Sequence, residues 1–479
     1  MVDYALDNTN KTGNLTGTWD WTNASTAVTA VAASGDAVND GLVAGDYIKS
    51  SAKLEWYKVA TVTDKDNLVL AYAYAEATEN GATVEWADIS TNDGTSAAKA
   101  FVHINEYSTD LARTAGDRLC CRRGQTHLVL GISINSDDDG TLAAWIEILG
   151  DDGTFWAAET ASADPIFNFS TGEKSWYIAG DLYWHFTDLR LSNGAQSAGP
   201  TNMSGSSITR FTRVYFEDCT LANYGMVFIS QGGTAEFEDC DIDNSTGNGL
   251  VTLSGTSVKC WKCRFNDNNK GLGLSGLAIL DECNFGGITP NTTDLSLGDS
   301  YSRLYGRDVV LTTGMGTIAA GSYATLMDIN GVKNSNATYY NNGTLLRDTG
   351  TVRSGGADSA IKVEPLASCN PLFPLLCYET WVYNAGEEAT YEVYMTASGA
   401  WDTLPINTEL WIECAYFDNA GDAGRSVVVS DDVIAVEGTW KSFDVTCTPN
   451  AAGPVRIRVW LSLYEAGNFI HIDPLVVVS

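Results

Sequence analysis

The sequence predicts an all-β protein in three parts: a small N-terminal β-barrel or sandwich, a central parallel β-solenoid and a C-terminal antiparallel sandwich. Three observations predict it. Short runs rich in Val, Ile, Thr and aromatics, broken by Gly, Asn and Asp, fill the 479 residues, and no long capped pattern at helical spacing accompanies them. Gly is abundant at 46 and Pro scarce at 10, which suits many tight turns between strands. The middle of the chain carries an internal repeat of solenoid length.

Residues 1–12 are polar and read as an N-terminal arm. Residues 13–92 hold GDYIK (45–49), EWYKVATVTD (55–64), NLVLAYAY (67–74) and ATVEWADI (82–89), consecutive strands with Asp- and Gly-rich turns. A short helix is expected at Ser96–Tyr107, as a connector or cap. Residues 93–345 form the solenoid and 346–479 the sandwich.

Cysteines serve as the ruler for the repeat. Cys219, Cys240, Cys263 and Cys283 are 21, 23 and 20 residues apart. Three positions before them stand Phe216, Phe237, Cys260 and Leu280; two positions after stand Leu221, Ile242, Phe265 and Phe285. A period of 20 to 23 residues with two or three strands makes a coil that stacks on its neighbours at about 4.8 Å, so each slot becomes a column of like residues. Four to six inward side chains give roughly 6 to 18 kcal/mol per coil, which chain ordering nearly cancels. A coil is therefore unstable alone and must stack. Phe and Cys, three apart, both point inward only if the chain bends between them, near Asp218 and its equivalents, where Asp tolerates a left-handed backbone. Residues 312–357, rich in Asn and Gly, read as a last irregular coil or linker. From 377 to 478 seven alternating strands follow, spaced as in a sandwich or jelly roll.

Charge narrows the function. With 28 Lys and Arg against 60 Asp and Glu, the net charge is −32. That argues against sequence-independent nucleic-acid binding, which needs a cationic surface, and against docking on an anionic membrane. No apolar run is long enough for membrane insertion as a helix. The N-terminus lacks the basic and apolar regions of a secretion signal, and 11 cysteines are expected as reduced, buried thiols rather than a disulfide framework. One CxxC, Cys260–Cys263, lacks the second pair that a four-sulfur zinc site needs.

Candidate chemistry has a plain reading beside each functional one. Glu217, Glu238 and Asp281 precede the bends. Stacked on adjacent coils they would approach the carboxylate spacing of a glycoside hydrolase, but a solvated turn ladder is the favoured reading, because an exposed column does not raise one pKa. NSDDDG (135–140) matches the start of a calcium loop, yet the twelfth position is Ile146, not Glu. Asp137 and Asp139 are left as weak calcium candidates beside a solvated turn, and no other cofactor is expected. In the last domain most Trp read as core. Trp401 in SGAWDTLP has a turn-like context, and with Asp402 it is the candidate for stacking on a sugar.

Two segments resemble known families. AGDRLCCRRGQTH (115–127), GISINSDDDGT (131–141) and AAWIEILGDDG (143–153) resemble the opening of right-handed parallel β-helix proteins of the pectate-lyase-like class; with the repeats this covers about 115–311. VEGTWKSFDVTCTPNAAGPVRIRVWLSL (436–463) with FIHIDPLVVV (469–478) is similar to carbohydrate-binding-module jelly rolls, with Asp473 where such modules carry an aspartate. GDYIK and the strands after it are similar to small β-modules of tailed-phage virion proteins. This domain order resembles a phage tailspike, fibre or capsid-surface protein. The resemblance implies a virion-surface homotrimer, assembled in the host cytoplasm, joined to other virion proteins through the N-terminal region and attached to a host surface polysaccharide. It equally admits a polysaccharide lyase or hydrolase and a non-catalytic capsid decoration or head fibre, because the fold hosts all of these.

Overall fold

The computed structural model describes residues 2–104, 107, 114–129, 132–134, 140–169, 176–179, 183–193, 201–204, 208–220, 225–286, 289–313, 315–319, 322–327, 336–339, 343–348, 350, 353–355, 360–365, 376–382, 389–398, 409–417, 423–430, 439–448, 453–462, 469–473 and 477–478. Leu221, Asp137, Asp139, Trp401 and Asp402 lie outside them. Two compact units divide the chain, Met1–Gly247 and Asn248–Ser479. The fold is all-β, with a right-handed β-helix.

In the first unit, eight antiparallel strands form one sheet, from Gly13–Asn14 at one edge to Glu79–Ala82 at the other. Glu79–Ala82 runs through Thr83 into Val84–Ala87, which pairs next to the opposite edge. One stretch of chain thus serves both ends, and the sheet curls into a barrel. Its core gathers Trp19, Trp21, Tyr57, Leu68, Tyr74 and Trp86. The expected strands appear, trimmed, as Tyr47–Ser50, Tyr57–Asp64, Asn67–Leu70 and Val84–Ala87. Within the helix expected at Ser96–Tyr107, Ala97–Lys99 forms a 3-10 turn, Phe101 bridges in parallel to Leu6, and Ile104 and Tyr107 are helical. Residues 3–6, read as part of an arm, instead form a strand paired in parallel with Arg118–Cys121. Polar composition concealed it, because only Ala5 and Leu6 are buried there.

Asp3–Leu6, Arg118–Cys121, Ile146–Gly150, Tyr183–Ser192, Ile208–Cys219 and Thr234–Glu238 pair successively in parallel and in register. Leu119, Ile148, Phe186, Phe211 and Phe237 form one inward column. Phe186 stacks on Phe211 at 5.2 Å and Phe211 on Phe237 at 4.9 Å. A second face stacks His127, Phe167, Leu191, Phe216 and Ile242. A third includes Ile178, Met203 and Ile229.

The bends fall where the sequence places them: Asp218, Asp239, Lys262 and Glu282 have φ of 59°, 53°, 56° and 53°. The column assignment needs correction. Cys219 pairs with Ser245, whereas Leu189 pairs with Val214, and the Thr212–Glu238 register carries Cys240 beneath Val214. Cys219 and Cys240 therefore occupy different corners, as do Phe216 and Phe237. Three successive coils of this unit bend twice, at Asp188, Arg213 and Asp239, and again at Asn193, Asp218 and Asn244, all with positive φ. Both bends carry the same local pattern, apolar–polar–left-handed and then an apolar or small residue, five residues apart. FEDC at 216–219 is the second bend of its coil and FEDC at 237–240 the first of the next, so a sequence ruler confuses them.

The second unit carries parallel strands Ser257–Trp261, Leu277–Asp281, Arg303–Arg307 and Tyr323–Met327 in register. Phe265 and Phe285 stack at 4.4 Å with their planes 3° apart. Residues read as a last irregular coil or linker hold strands: Tyr323–Met327 stacks in parallel on Arg303–Arg307 and pairs antiparallel with Asn336–Tyr339, where the parallel pattern ends, and Gly343–Asp348 pairs with Ala360–Pro365. Two antiparallel sheets follow. One runs Gly343–Asp348, Ala360–Pro365, Phe469–Ile472, Ala389–Ser398, Lys441–Cys447; the other Leu376–Val382, Gly453–Ser462, Glu409–Phe417, Ala423–Ser430.

Seven described cysteines are buried thiols, Cys219, Cys240, Cys263 and Cys283 among them. Burial pushes the Cys120 thiol up to about 12.

Candidate functional site

Alternation along a strand sends every second side chain outward. In AAWIEIL, Ile146 and Ile148 are buried, so Trp145 and Glu147 face out; in YWHFT, Trp184 and Phe186 are buried, so Tyr183, His185 and Thr187 face out. Register then joins them. Asp3, Arg118, Glu147, His185, Arg210 and Glu236 are cross-strand neighbours on six successive strands. Opposite charges side by side stabilise such a face: Arg118 Nε lies 3.5 Å from Glu147, and Arg210 Nη2 lies 2.8 Å from Glu236.

Aromatic rings close over the middle of this ladder. Trp145 meets Tyr183 edge-on at 5.6 Å and His185 at 6.4 Å. The Arg210 guanidinium lies 4.7 Å from the Trp145 ring centre, within cation–π range. His185 Nδ1 is 3.5 Å from Glu147 Oε1. Its Nε2 is 2.9 Å from Thr212 Oγ1 and 3.1 Å from Thr187 Oγ1. With the ring proton on Nδ1, facing the carboxylate, Nε2 accepts from both hydroxyls. The His185 hydrogen bond, helped by the Arg118 charge, holds the Glu147 carboxyl below its ordinary range against the opposing effect of burial. The result is a half-buried, pre-ordered surface of two aromatic rings, a guanidinium, a carboxylate, an imidazole and two hydroxyls. It can stack on the apolar face of a sugar and hydrogen-bond its hydroxyls.

The carboxylates singled out from sequence do not assemble. Glu217 pairs across strands with Ser192 and Asp243, while Glu238 pairs with Thr212. They stand in different bends, because the cysteine ruler merged two corners. Glu217 binds Arg190 at 2.6 Å and Asp281 binds Arg307 at 2.7 Å, the arrangement of solvated ion pairs rather than of an acid and a nucleophile sharing a pocket. Asp473 is buried and receives Arg353 Nε at 2.6 Å. Among the described residues no group of three or more His, Cys, Asp or Glu side chains is placed to hold a metal ion. Sequence reasoning missed Trp145, Tyr183, His185 and Arg210. The alternation signal was present, but only the register shows that they meet.

Residues 177–309 match the family model of the right handed beta helix region. No curated protein matches the chain. Among solved structures, the chain is similar to the enzymatically active domain of tailspike protein 4 of bacteriophage CBA120, at 13% identity and a TM-score of 0.24, over 92% of this chain and 75% of that one. It is also similar to the tailspike protein of Acinetobacter phage vB_ApiP_P1, at 10% identity and a TM-score of 0.21, over 76% of this chain and 81% of that one. Over 29% of its length the chain is also similar to the N-terminal modules of the Clostridium thermocellum endo-1,4-beta-D-xylanase 10B complexed with xylohexaose, at 13% identity and a TM-score of 0.21, spanning 24% of that structure.

Proposed function

We propose that this chain is a structural protein of a phage particle surface, of tailspike or fibre type, that attaches to a glycan of the host surface. The observation that carries the reading is the outward aromatic and charged face at Trp145, Tyr183, His185 and Arg210, built on β-helix coils that hold it rigid. The order of small β-module, β-helix and sandwich supports it. A homotrimer belongs to the proposal, since multiple copies multiply weak sugar contacts, as do virion partners bound through the N-terminal region. A second contact by Trp401 and Asp402, and loose calcium binding by Asp137 and Asp139, complete it.

The test is binding of labelled protein to purified host surface polysaccharide. Trp145→Ala is expected to weaken binding tenfold or more while the circular dichroism and melting temperature stay unchanged; undiminished binding would overturn the role of this face. New reducing ends or unsaturated uronates at enzymatic rates would favour the second reading, a depolymerase, and labelling of intact particles would separate a tail protein from a capsid decoration. Calorimetric titration of calcium into chelator-treated protein, beside Asp137→Asn, tests the cation.

A further inference from the structure

The CxxC motif at Cys260 and Cys263 divides in the folded chain. Cys260 lies opposite Leu280 across the strands, whereas Cys263 falls just past the following bend. Trp261 pairs in parallel with Asp281 before that bend, and Arg264 with Asn284 after it, each with the residue 20 positions on. Between them Lys262 and Glu282 turn the corner with left-handed φ of 56° and 53°. The Lys262 N–H donates to Asp281 O and the Asn284 N–H to Cys263 O, both at 2.9 Å. The same register sets Cys263 directly against Cys283 on the next coil.

Both side chains are fully buried and lean the same way. Cys263 Sγ lies 3.4 Å from Trp261 O and Cys283 Sγ lies 3.4 Å from Asp281 O, in each coil the carbonyl two residues back. Cys283 Sγ also reaches Cys260 O at 3.3 Å, on the coil that holds Cys263, and the two thiols hydrogen-bond one another. Val309 follows Cys283 in the column, buried as well. Neighbouring strands stand about 4.8 Å apart, inside the range of about 4.4 to 6.8 Å between Cα atoms that a disulfide spans. Chemistry decides when the pair reacts. The contact with Cys263, and then burial, push the Cys283 thiol well above its ordinary range, and a thiol kept protonated is a poor nucleophile. A docked coil is therefore slow to react. A coil that opens presents both thiols to a small oxidant, and once bridged and docked again it is shielded from reductants by the same burial.

We propose that Cys263 and Cys283 are the site of a covalent clip between successive coils, closed by thiol–disulfide exchange with a small disulfide of the glutathione class. The thiolate of one cysteine attacks a sulfur of oxidised glutathione, and one glutathione leaves as its thiolate. The thiolate of the other cysteine attacks the protein sulfur of that mixed disulfide, and the second glutathione leaves. Two protein thiols are oxidised, one glutathione disulfide is reduced to two thiols, and the cysteine protons pass to the departing sulfurs. The bridge encloses one whole coil, and so removes freedom from the unfolded chain. It needs no ligand and stands apart from the glycan reading of the protein.

The test equilibrates the full chain in a mixture of reduced and oxidised glutathione, at temperatures up to its melting point, until the thiol count is constant. Peptide mass spectrometry without reduction is expected to find one bridge, 263–283, and thiol titration in denaturant to fall by two of the 11. The melting temperature should rise by about 5 °C or more over the reduced protein. Cys283→Val repeats the Val309 side chain of the next coil, which keeps the column apolar and the fold intact, and it should abolish both the bridge and the shift. Cys260→Ala should abolish neither. Four results would overturn the inference: no bridge forms, glutathione stays attached to Cys263 or Cys283, the bridge joins another pair such as Cys260 and Cys263, or the bridged protein melts no higher than the reduced one.

Discussion

At the scale of single residues, burial decides the pH response. His127 lies inside the β-helix, stacked on Phe167 at 5.0 Å, and burial pushes its pKa down from 6.5 to about 4. A base depressed in the folded state is stabilising above its unfolded pKa, and that contribution is lost as pH falls from about 6.5 towards 4, by about 3 kcal/mol in all. His103, also buried and 3.5 Å from Glu55, is pushed to about 3 and adds in the same direction. His127→Phe, a ring for a ring in a column that already holds Phe167 and Phe216, is expected to be near neutral at pH 7 and to raise the urea midpoint relative to the parent at pH 5. Asp7 acts at lower pH. Burial works to raise its pKa, but bonds from Thr9, Gln125 and Arg122 outweigh it and hold the carboxyl below its usual range. Its contribution is present above about pH 4 and is lost as pH falls through the lowered value. The bends are equally specific. Asp239 has φ of 53°, a conformation a β-branched residue adopts only at a cost of about 1 to 2 kcal/mol, so Asp239→Val should lower the denaturation midpoint accordingly, while Asp239→Asn should not.

At the scale of the coil, the register makes its own prediction. Val214 and Cys240 share a column, and Cys219 does not. Neighbouring parallel strands bring two Cα atoms within disulfide range, so Val214→Cys, folded under oxidising conditions, should yield a 214–240 bridge by peptide mass spectrometry, with none between 219 and 240. The period, the inward Phe and Cys and the left-handed Asp at the bends were all legible in the sequence, because each is a local demand of a chain turning a corner. The pairing was not. Phe211-Thr212-Arg213-Val214 and Phe216-Glu217-Asp218-Cys219 satisfy the same demand five residues apart, and only the count of residues to the next coil tells them apart. The same gap hid the face around Trp145. Trp145 and Arg210 are 65 positions apart in the chain, and no local pattern announces that a guanidinium will settle on that ring. The Asp3–Leu6 strand was obscured for the opposite reason: two buried residues in four are too few to stand out from a polar stretch.

At the scale of the whole molecule, 60 acidic side chains against 28 basic ones impose self-repulsion that opposes any compact state. Raising salt from about 0.01 M to about 1 M shortens the screening length from about 30 Å to about 3 Å. The melting temperature should therefore climb with sodium chloride, by roughly 2 to 4 °C per kcal/mol of repulsion relieved; a flat or falling profile would show that paired charges such as Arg190–Glu217 outweigh the excess. The twin bends leave a mark on how the chain reaches its native state. A coil of the first unit that docks one corner out of step still meets apolar with apolar and turn with turn, so the slipped arrangement is a trap close in energy to the native one. Parallel strands are already slow to find one another, and escape from such a trap requires unzipping a docked coil. Refolding should proceed in several phases, the slowest eased by mild denaturant, as a stair climbed with one foot repeatedly landing on the wrong tread.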